Sequence, residues 1–243
     1  MERKRIDVLL VERGLFDSRA KAREAIAAGL VMAAGRRVGK PSEAVASDAV
    51  LEATAAHPWV GRGALKLAHA LALWPVAVEG RTVLDVGAST GGFSEVCLSR
   101  GAARVYAVDV GRGQLHERVR ADPRVVDLSG VDARALDTAL IDTAPDLIVT
   151  DVSFIGLAKT LPAALALAGP GADLVALVKP QFEVGPERVG KGGLVKDPAA
   201  RLAALEAVGG WLETQGWRVL QTADSPIAGG DGNLEYLLWA RRA

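Results

Sequence analysis

The sequence predicts an α/β chain in two parts. A small α+β module comes first, and a larger unit follows with a mostly parallel sheet of seven strands whose last pair is antiparallel at the edge. Three observations carry this. From Val83 onward, short apolar runs alternate with helix-like stretches, the pattern of βαβ units. A turn of small residues, Gly87-Ala88-Ser89-Thr90-Gly91-Gly92, joins the first of those runs to an apolar helix. The first forty residues instead read as two short helices and then β-rich pieces, and they are markedly basic. The boundaries fall at residues 1–56 for the module, 57–60 for a linker and 61–243 for the larger unit.

Composition narrows the class. Of 243 residues, 50% are hydrophobic, enough for a sizeable core, and formal net charge is zero. No uninterrupted apolar run has the length of a membrane span, and the start Met1-Glu2-Arg3-Lys4-Arg5 lacks the apolar segment of a signal peptide. One cysteine, Cys97, excludes an intrachain disulfide and a cysteine-rich metal site; no metal is expected. A cytoplasmic protein is the simplest reading, with a monomer favoured. The charge is unevenly spread: Arg3, Lys4, Arg5, Arg13, Arg19, Lys21, Arg23, Arg36, Arg37 and Lys40 face only Glu2, Asp7, Glu12, Asp17 and Glu24. Such asymmetry points to a module that binds a polyanion.

In the module, Ile6 to Arg13 has helical spacing and stops at Gly14, as at a C-cap. Asp17 or Ser18 caps a second helix, Arg19 to Ala28, which closes at Gly29. Leu30-Val31-Met32, a turn at Ala34-Gly35, Val38 and Ala49-Val50-Leu51-Glu52 supply a small sheet. Arg5-Ile6-Asp7-Val8-Leu9-Leu10-Val11-Glu12-Arg13-Gly14-Leu15, followed by Ser18-Arg19, Ala22, Ala25-Ile26, Gly29 and Val31, resembles an alpha-L RNA-binding domain over about residues 1–55. That resemblance implies a folded-RNA partner, with Arg5, Arg19, Arg23 and Arg36 as candidate contacts. It departs at the hairpin turn, where Ala34 stands in place of a frequent asparagine.

His57-Pro58-Trp59-Val60 reads as a linker stiffened by proline. A helix follows to about Leu73, with Arg62 and Lys66 one turn apart and able to face one groove. Strands are expected at Val83–Val86, Val105–Asp109, Val125–Val126, Leu147–Asp151, Leu174–Lys179, Trp217–Gln221 and Glu235–Trp239, with a Gly229–Gly232 loop before the last.

The glycine turn lets backbone approach a ligand closely at a helix N-terminus. Asp109 ends the second strand about twenty residues beyond it, the spacing of a carboxylate that binds ribose hydroxyls. The downstream motifs favour S-adenosylmethionine over NAD. Asp85/Gly87, Asp109, Asp151 and Lys179 all stand at strand ends, where ligands of open α/β sheets bind. Lysine directly after an apolar strand sits where burial disfavours its charged form, as a base requires. Asp151 is placed to orient it, and Lys66 and Glu235 are candidates to complete a cluster suited to deprotonating a ribose 2′-OH. Cys97, inside a helix, is no cytosine-C5 nucleophile, and Asp151-Val152-Ser153-Phe154 is not the Asn/Asp-Pro-Pro-aromatic run of an exocyclic-amine enzyme.

Residues 60–240 resemble the TlyA (haemolysin-A) family of rRNA 2′-O-methyltransferases, related to FtsJ-type enzymes with a Rossmann-like class I methyltransferase fold. The resemblance lies in Arg62-Gly63 with Leu65-Lys66-Leu67, the Asp85–Phe93 turn, Asp109-Val110-Gly111 with Gln114-Leu115, Asp151-Val152-Ser153-Phe154-Ile155, Leu177-Val178-Lys179-Pro180-Gln181-Phe182-Glu183, and Gly232-Asn233-Leu234-Glu235-Tyr236. It implies a catalytic tetrad Lys66–Asp151–Lys179–Glu235 with Lys179 as base. It also implies S-adenosylmethionine contacts from Asp85, Gly87, Ala88, Ser89, Gly91, Gly92, Phe93, Asp109, Val110, Asp132 and Asp151, and an RNA contact from Arg62. Asp132-Ala133-Arg134 departs from the family's Asn-Ala-Arg, and His57 stands where arginine is frequent. The implied substrate is a cytidine 2′-OH in ribosomal RNA within ribosomal subunits. The chain ends right after its last strand, as in the shorter members, which modify large-subunit RNA alone. A methyltransferase of tRNA or another structured RNA stays open, because the N-terminal fold is not specific to rRNA. A cytolysin has no support in any secretion signal or basic amphipathic helix. All four tetrad positions hold the expected residue types, against an inactive binding protein.

Overall fold

A computed structural model describes residues 2–229 and 232–243, so Gly230 and Asp231 of the expected glycine loop lie outside the described residues. The chain divides into two compact units, Met1–Pro58 and Trp59–Ala243.

The first unit begins with β1 (Arg3–Arg5), α1 (Ile6–Glu12) and α2 (Arg19–Ala27), followed by β2 (Val31–Ala33), β3 (Arg36–Arg37), β4 (Ala44–Ala46) and β5 (Leu51–Ala53). The helices are the expected ones. Ile6, Leu9 and Leu10 form one stripe of α1, and Ala22, Ala25 and Ile26 one stripe of α2; both bury against Phe16, Val31, Val38 and Val45. Of the two candidate caps, Ser18 is the one at the cap position, its Oγ accepting from the Lys21 N–H at 3.3 Å. The β1–β4 pair carries no expectation above, since Arg3-Lys4-Arg5 lacks any apolar alternation; it pairs antiparallel with Ala44–Ala46. Beside it, β2 lies between β3 and β5.

Two local details decide how this unit is held. Asp7 is wholly buried, and both Arg5 Nε (3.0 Å) and Arg19 Nη2 (2.8 Å) close on its carboxylate. The Arg5 hydrogen bond, joined by that of Arg19, holds the Asp7 carboxyl down at about 2, against the desolvation that opposes it. One acid thus ties the start of α1 to the start of α2. At the hairpin, Ala34 has φ +49° and Gly35 φ +73°. A left-handed backbone costs an alanine roughly 1–2 kcal/mol, whereas asparagine bonds its own backbone there. Ala34 is exposed. Ala34→Asn is therefore expected to stabilise the unit by about 0.5–1 kcal/mol, seen as slower hydrogen exchange at the Leu9 and Leu10 amides.

The second unit opens with α3 (Ala64–Leu73) and continues through β6 (Thr82–Val86), α4 (Gly92–Ser99), β7 (Arg104–Asp109), α5 (Glu117–Arg120), β8 (Val125–Ser129) and β9 (Leu147–Thr150). It ends with α6 (Leu157–Thr160), α7 (Pro162–Leu167), β10 (Asp173–Val178), α8 (Pro180–Glu183), α9 (Pro198–Thr214), β11 (Trp217–Asp224) and β12 (Tyr236–Arg242). The seven-stranded sheet runs β11-β12-β10-β9-β6-β7-β8. Strands β6 to β10 are parallel, and β12 runs against both β10 and β11. The antiparallel pair sits at the edge as expected, with β12 on its inner side.

Because helices cover both faces, the central strands are apolar on both sides rather than alternating. Val83, Val105, Val149 and Leu177 pack on one face with Leu67 of α3 and Phe93 of α4. Leu84, Tyr106, Ile148 and Val178 pack on the other with Leu161, Leu165, Leu205 and Leu212. The chain leaves β6 toward β8, then returns to β9 on the other side of β6. That reversal opens a crevice beyond the carboxyl ends of β6 and β9.

Candidate active site

Four charged side chains from four separate elements meet at that end of the sheet. Asp151 directly follows β9 and Lys179 directly follows β10, so parallel pairing of these strands sets the two side by side. Glu235 directly precedes β12. Since β12 is antiparallel, with Tyr236 opposite Val178, its beginning lies beside the end of β10. Lys66 projects from the first turn of α3. Lys179 Nζ lies 2.7 Å from Asp151 Oδ1; Lys66 Nζ lies 3.8 Å from Asp151 Oδ2 and 2.6 Å from Glu235 Oε2. Lys66, Lys179 and Glu235 are only 6%, 7% and 4% exposed. The order Lys179–Asp151–Lys66–Glu235 alternates cation and anion, the arrangement that lets charges stay buried together. Gly63 belongs to this cluster sterically, since a Cβ there would come within 3.2 Å of Asp151 Oδ2.

Asp151 also lines a cleft of about 500 Å³, shared with Gly87, Ser89, Asp109, Val110 and Asp132. This is within the roughly 300–1,000 Å³ of small-molecule sites. Gly87 has φ +83°, and a Cβ on it would reach 2.9 Å from Val152 Cγ1, so only glycine lets the β6 turn and the loop after β9 approach so closely. Asp109 Oδ2 accepts from the Ser89 N–H and Oδ1 from the Gly111 N–H, each at 2.8 Å, fixing the carboxylate between both walls. Each oxygen keeps a lone pair for a ribose hydroxyl. The Asp132 carboxylate is engaged by Arg134, whose guanidinium holds it down at about 2. An S-adenosyl group would fit this lining: Asp109 would offer acceptors to ribose hydroxyls, Gly87 a close backbone approach, and Asp151 a carboxylate suited to a cation.

Asp85, Ala88, Gly91, Gly92 and Phe93, expected at the cofactor, do not line the cleft. Asp85 is buried under the turn, where its Oδ2 accepts from Ser94 Oγ at 2.6 Å. Burial pushes its carboxyl up to about 7 against the pull of Ser94, and the charges of Asp151 and Asp109 add to the rise. Ala88 is buried, with its N–H bonded to the Val108 carbonyl. Gly91 (φ +89°) abuts Leu115 and Val119, Gly92 abuts Ala64, and Phe93 is in the core. Motif spacing marks the turn but does not separate its rim from its foundation.

Among the candidate RNA contacts, Arg5 and Arg19 share Asp7, and Arg36 pairs with Glu43. Arg23 is exposed, and Arg62 is exposed with one bond of 3.4 Å to the Ala228 carbonyl. Several residues without an assigned role also reach the site. Ser153 Oγ accepts from Lys179 Nζ at 2.7 Å. Phe154, 90% exposed with φ +68°, has its ring 5.3 Å from that of Phe182. Glu183 Oε1 accepts from the Leu157 N–H at 2.9 Å. Ser153, Phe154 and Glu183 lie inside the quoted motifs, but an exposed phenylalanine and a lone serine carry no periodicity that would mark them.

The FtsJ-like methyltransferase family matches residues 59–242, and the S4 domain matches residues 4–51. The chain is 48% identical over 98% of its length, and over 90% of the relative's, to the 16S/23S rRNA (cytidine-2'-O)-methyltransferase TlyA of Mycobacterium tuberculosis. It is 35% identical over 74% of its length, and over 70% of the relative's, to the 23S rRNA (cytidine-2'-O)-methyltransferase TlyA of Campylobacter jejuni. A solved structure named "Putative hemolysin from Streptococcus thermophilus" superposes with a TM-score of 0.79 at 39% identity, covering 100% of this chain and 90% of that one. With an FtsJ-like methyltransferase unit, an S4 domain and relatives of this similarity along nearly its whole length, the chain belongs to the TlyA family.

Proposed function

We propose that the protein transfers a methyl group from S-adenosylmethionine to the 2′-OH of a cytidine in ribosomal RNA, in the large subunit first and with small-subunit RNA as a second substrate. The observation that carries this is Asp151, which belongs at once to the cleft wall and to the buried chain of alternating charges. A cofactor and a deprotonating group therefore share one boundary. The bound cofactor supplies an electrophilic methyl on a sulfonium.

Lys179, in its neutral form, takes the 2′-OH proton as the oxygen bonds to the methyl carbon and the carbon–sulfur bond breaks toward sulfur. Asp151 fixes the Lys179 nitrogen by accepting one of its N–H groups. Lys66 stays cationic beside Glu235 and lowers the energy of the negative charge developing on the ribose oxygen. Asp109, Gly87 and Ser89 would hold the nucleoside end of the cofactor, and Asp132 would face its adenine. In the S4 domain, the guanidiniums of Arg5, Arg19, Arg23 and Arg36 meet RNA phosphates, and Arg62 does so in the methyltransferase unit, making binding salt-sensitive. The enzyme works as a monomer in the cytoplasm, where ribosomes are. No helix among the described residues is long and apolar enough to cross a membrane.

The test is transfer of labelled methyl to separated subunits lacking the modification, with ribose methylation mapped on the RNA. Label on a large-subunit cytidine, with or without one in the small subunit, is the expected result. Label on tRNA alone would replace ribosomal RNA with another structured RNA, and no label on any RNA would overturn the proposal.

A further inference from the structure

A lysine nitrogen has three directions besides its bond to Cε. As an amine it carries hydrogens in two of them and its lone pair in the third. For Lys179 to take a proton from a ribose hydroxyl, the lone pair must point at that hydroxyl and nowhere else. Asp151 Oδ1, at 2.7 Å, holds one direction. Held by one acceptor alone, the nitrogen can still swing its lone pair around that contact. Ser153 Oγ, also at 2.7 Å, holds a second. Among the described residues a third oxygen, the Asp151 carbonyl at 3.5 Å, is at the outer limit of a hydrogen bond. Two short acceptors in fixed places leave a single direction for the lone pair.

The loop that presents Ser153 is itself constrained from the segment following β10. Next to Ser153, Phe154 has φ +68°, in the left-handed region. The Phe182 ring lies 5.3 Å from that of Phe154, and the Glu183 carboxylate accepts from the Leu157 N–H. Gly156 completes the fit, since a Cβ there would come within 2.9 Å of Glu183 Oε2. The segment 179–183 thus carries both the base and the groups that set its partner loop.

We infer that Ser153 is a positioning residue of the reaction: with Asp151 it orients the Lys179 nitrogen so that its free direction meets the ribose hydroxyl. This rests on Lys179 being the base. A serine hydroxyl suits the task because it accepts from the nitrogen both as ammonium and as amine, and its own proton is free to turn elsewhere.

The experiment compares full-length wild type, Ser153→Ala, Ser153→Thr and Lys179→Ala. It measures single-turnover methyl transfer to ribosomal subunits and, separately, cofactor affinity by calorimetry. Ser153→Ala is expected to slow transfer about two- to tenfold, the size of one hydrogen bond between neutral groups. Ser153 also lines the cleft, so the rate should fall further than cofactor affinity does, since an orientation loss falls on the chemical step. Ser153→Thr keeps the hydroxyl and should restore most of the rate.

A Ser153→Ala rate equal to wild type, or a loss matched by a parallel loss of cofactor affinity, would overturn the inference, the second because it marks a damaged cleft wall. Loss of activity in Lys179→Ala with none in Ser153→Ala sinks this inference alone. A wild type that methylates no ribose, or a fully active Lys179→Ala, sinks the base assignment and this inference with it.

Discussion

Replacing Lys179 with alanine is expected to lower the single-turnover rate of ribose methylation by about 10²–10⁴-fold, the usual contribution of a positioned general base. Cofactor affinity should change little, because Lys179 does not line the cleft. The fold should also survive. Removing the Lys179 side chain leaves Asp151, whose side chain is 19% exposed, with Lys66 still 3.8 Å away and with access to water. Lys66→Ala would be a poorer probe. It leaves Glu235, with a side chain only 3% exposed, stripped of the cation at 2.6 Å. Breaking a buried pair in that way costs about 3–5 kcal/mol, so lost activity could not be separated from lost structure. The clean measurement is therefore Lys179→Ala, by rapid-quench transfer of labelled methyl and calorimetry with S-adenosylmethionine. A rate within a factor of a few of wild type would remove Lys179 from the chemistry.

How much of this was legible in the sequence depends on the kind of order involved. The β6, β7, β9 and β10 runs were readable because strands buried on both faces must be continuously apolar. The polar residue that ends each run then had to emerge at the ligand end of the sheet, which put Asp109, Asp151 and Lys179 together. Glu235 was different. Its pairing with Lys66, 169 residues away, depends on β12 running antiparallel with Tyr236 opposite Val178; position alone made the two candidates for one cluster, and the family resemblance implied the tetrad. Depth at the turn leaves no local pattern: Phe93 follows the glycines in sequence but lies in the core, and Asp85 lies beneath them. In the S4 domain, counting charges could not reveal that Asp7 is buried and takes both Arg5 and Arg19, because burial of an acid leaves no mark on charge balance. The three-residue strands β1 and β4 are too short for alternation to register.

Asp173→Ala is expected to cost the methyltransferase unit about 2–3 kcal/mol, because it removes the buried carboxylate that accepts from two arginines and a tryptophan. Asp173 is the first residue of β10, at the end of the strand opposite Lys179. It is wholly buried, and its carboxylate accepts from Arg81 Nη1 at 2.6 Å, Trp239 Nε1 at 2.9 Å and Arg241 Nε at 2.9 Å. These donors come from the approach to β6 and from β12, so one side chain ties three neighbouring segments of the sheet. Burial pushes its carboxyl up, but the Arg241, Arg81 and Trp239 hydrogen bonds overrule it and hold the carboxyl below the usual aspartate value. The sign of the pH dependence follows. A carboxyl with a depressed folded pKa stabilises fully above its unfolded value of about 3.9, and that contribution fades as the pH falls through the folded value. The gap in unfolding free energy between wild type and Asp173→Ala should therefore be constant near neutrality and narrow only in acid. All five tryptophans lie at or beyond Trp59, so urea unfolding followed by tryptophan fluorescence reports this unit alone. Turnover by the variant below its unfolding temperature should stay near wild type, since β10 separates Asp173 from the tetrad by about 20 Å at roughly 3.3 Å per residue. A neutral-pH difference below about 1 kcal/mol would mean that the two arginines find water as good a partner as Asp173.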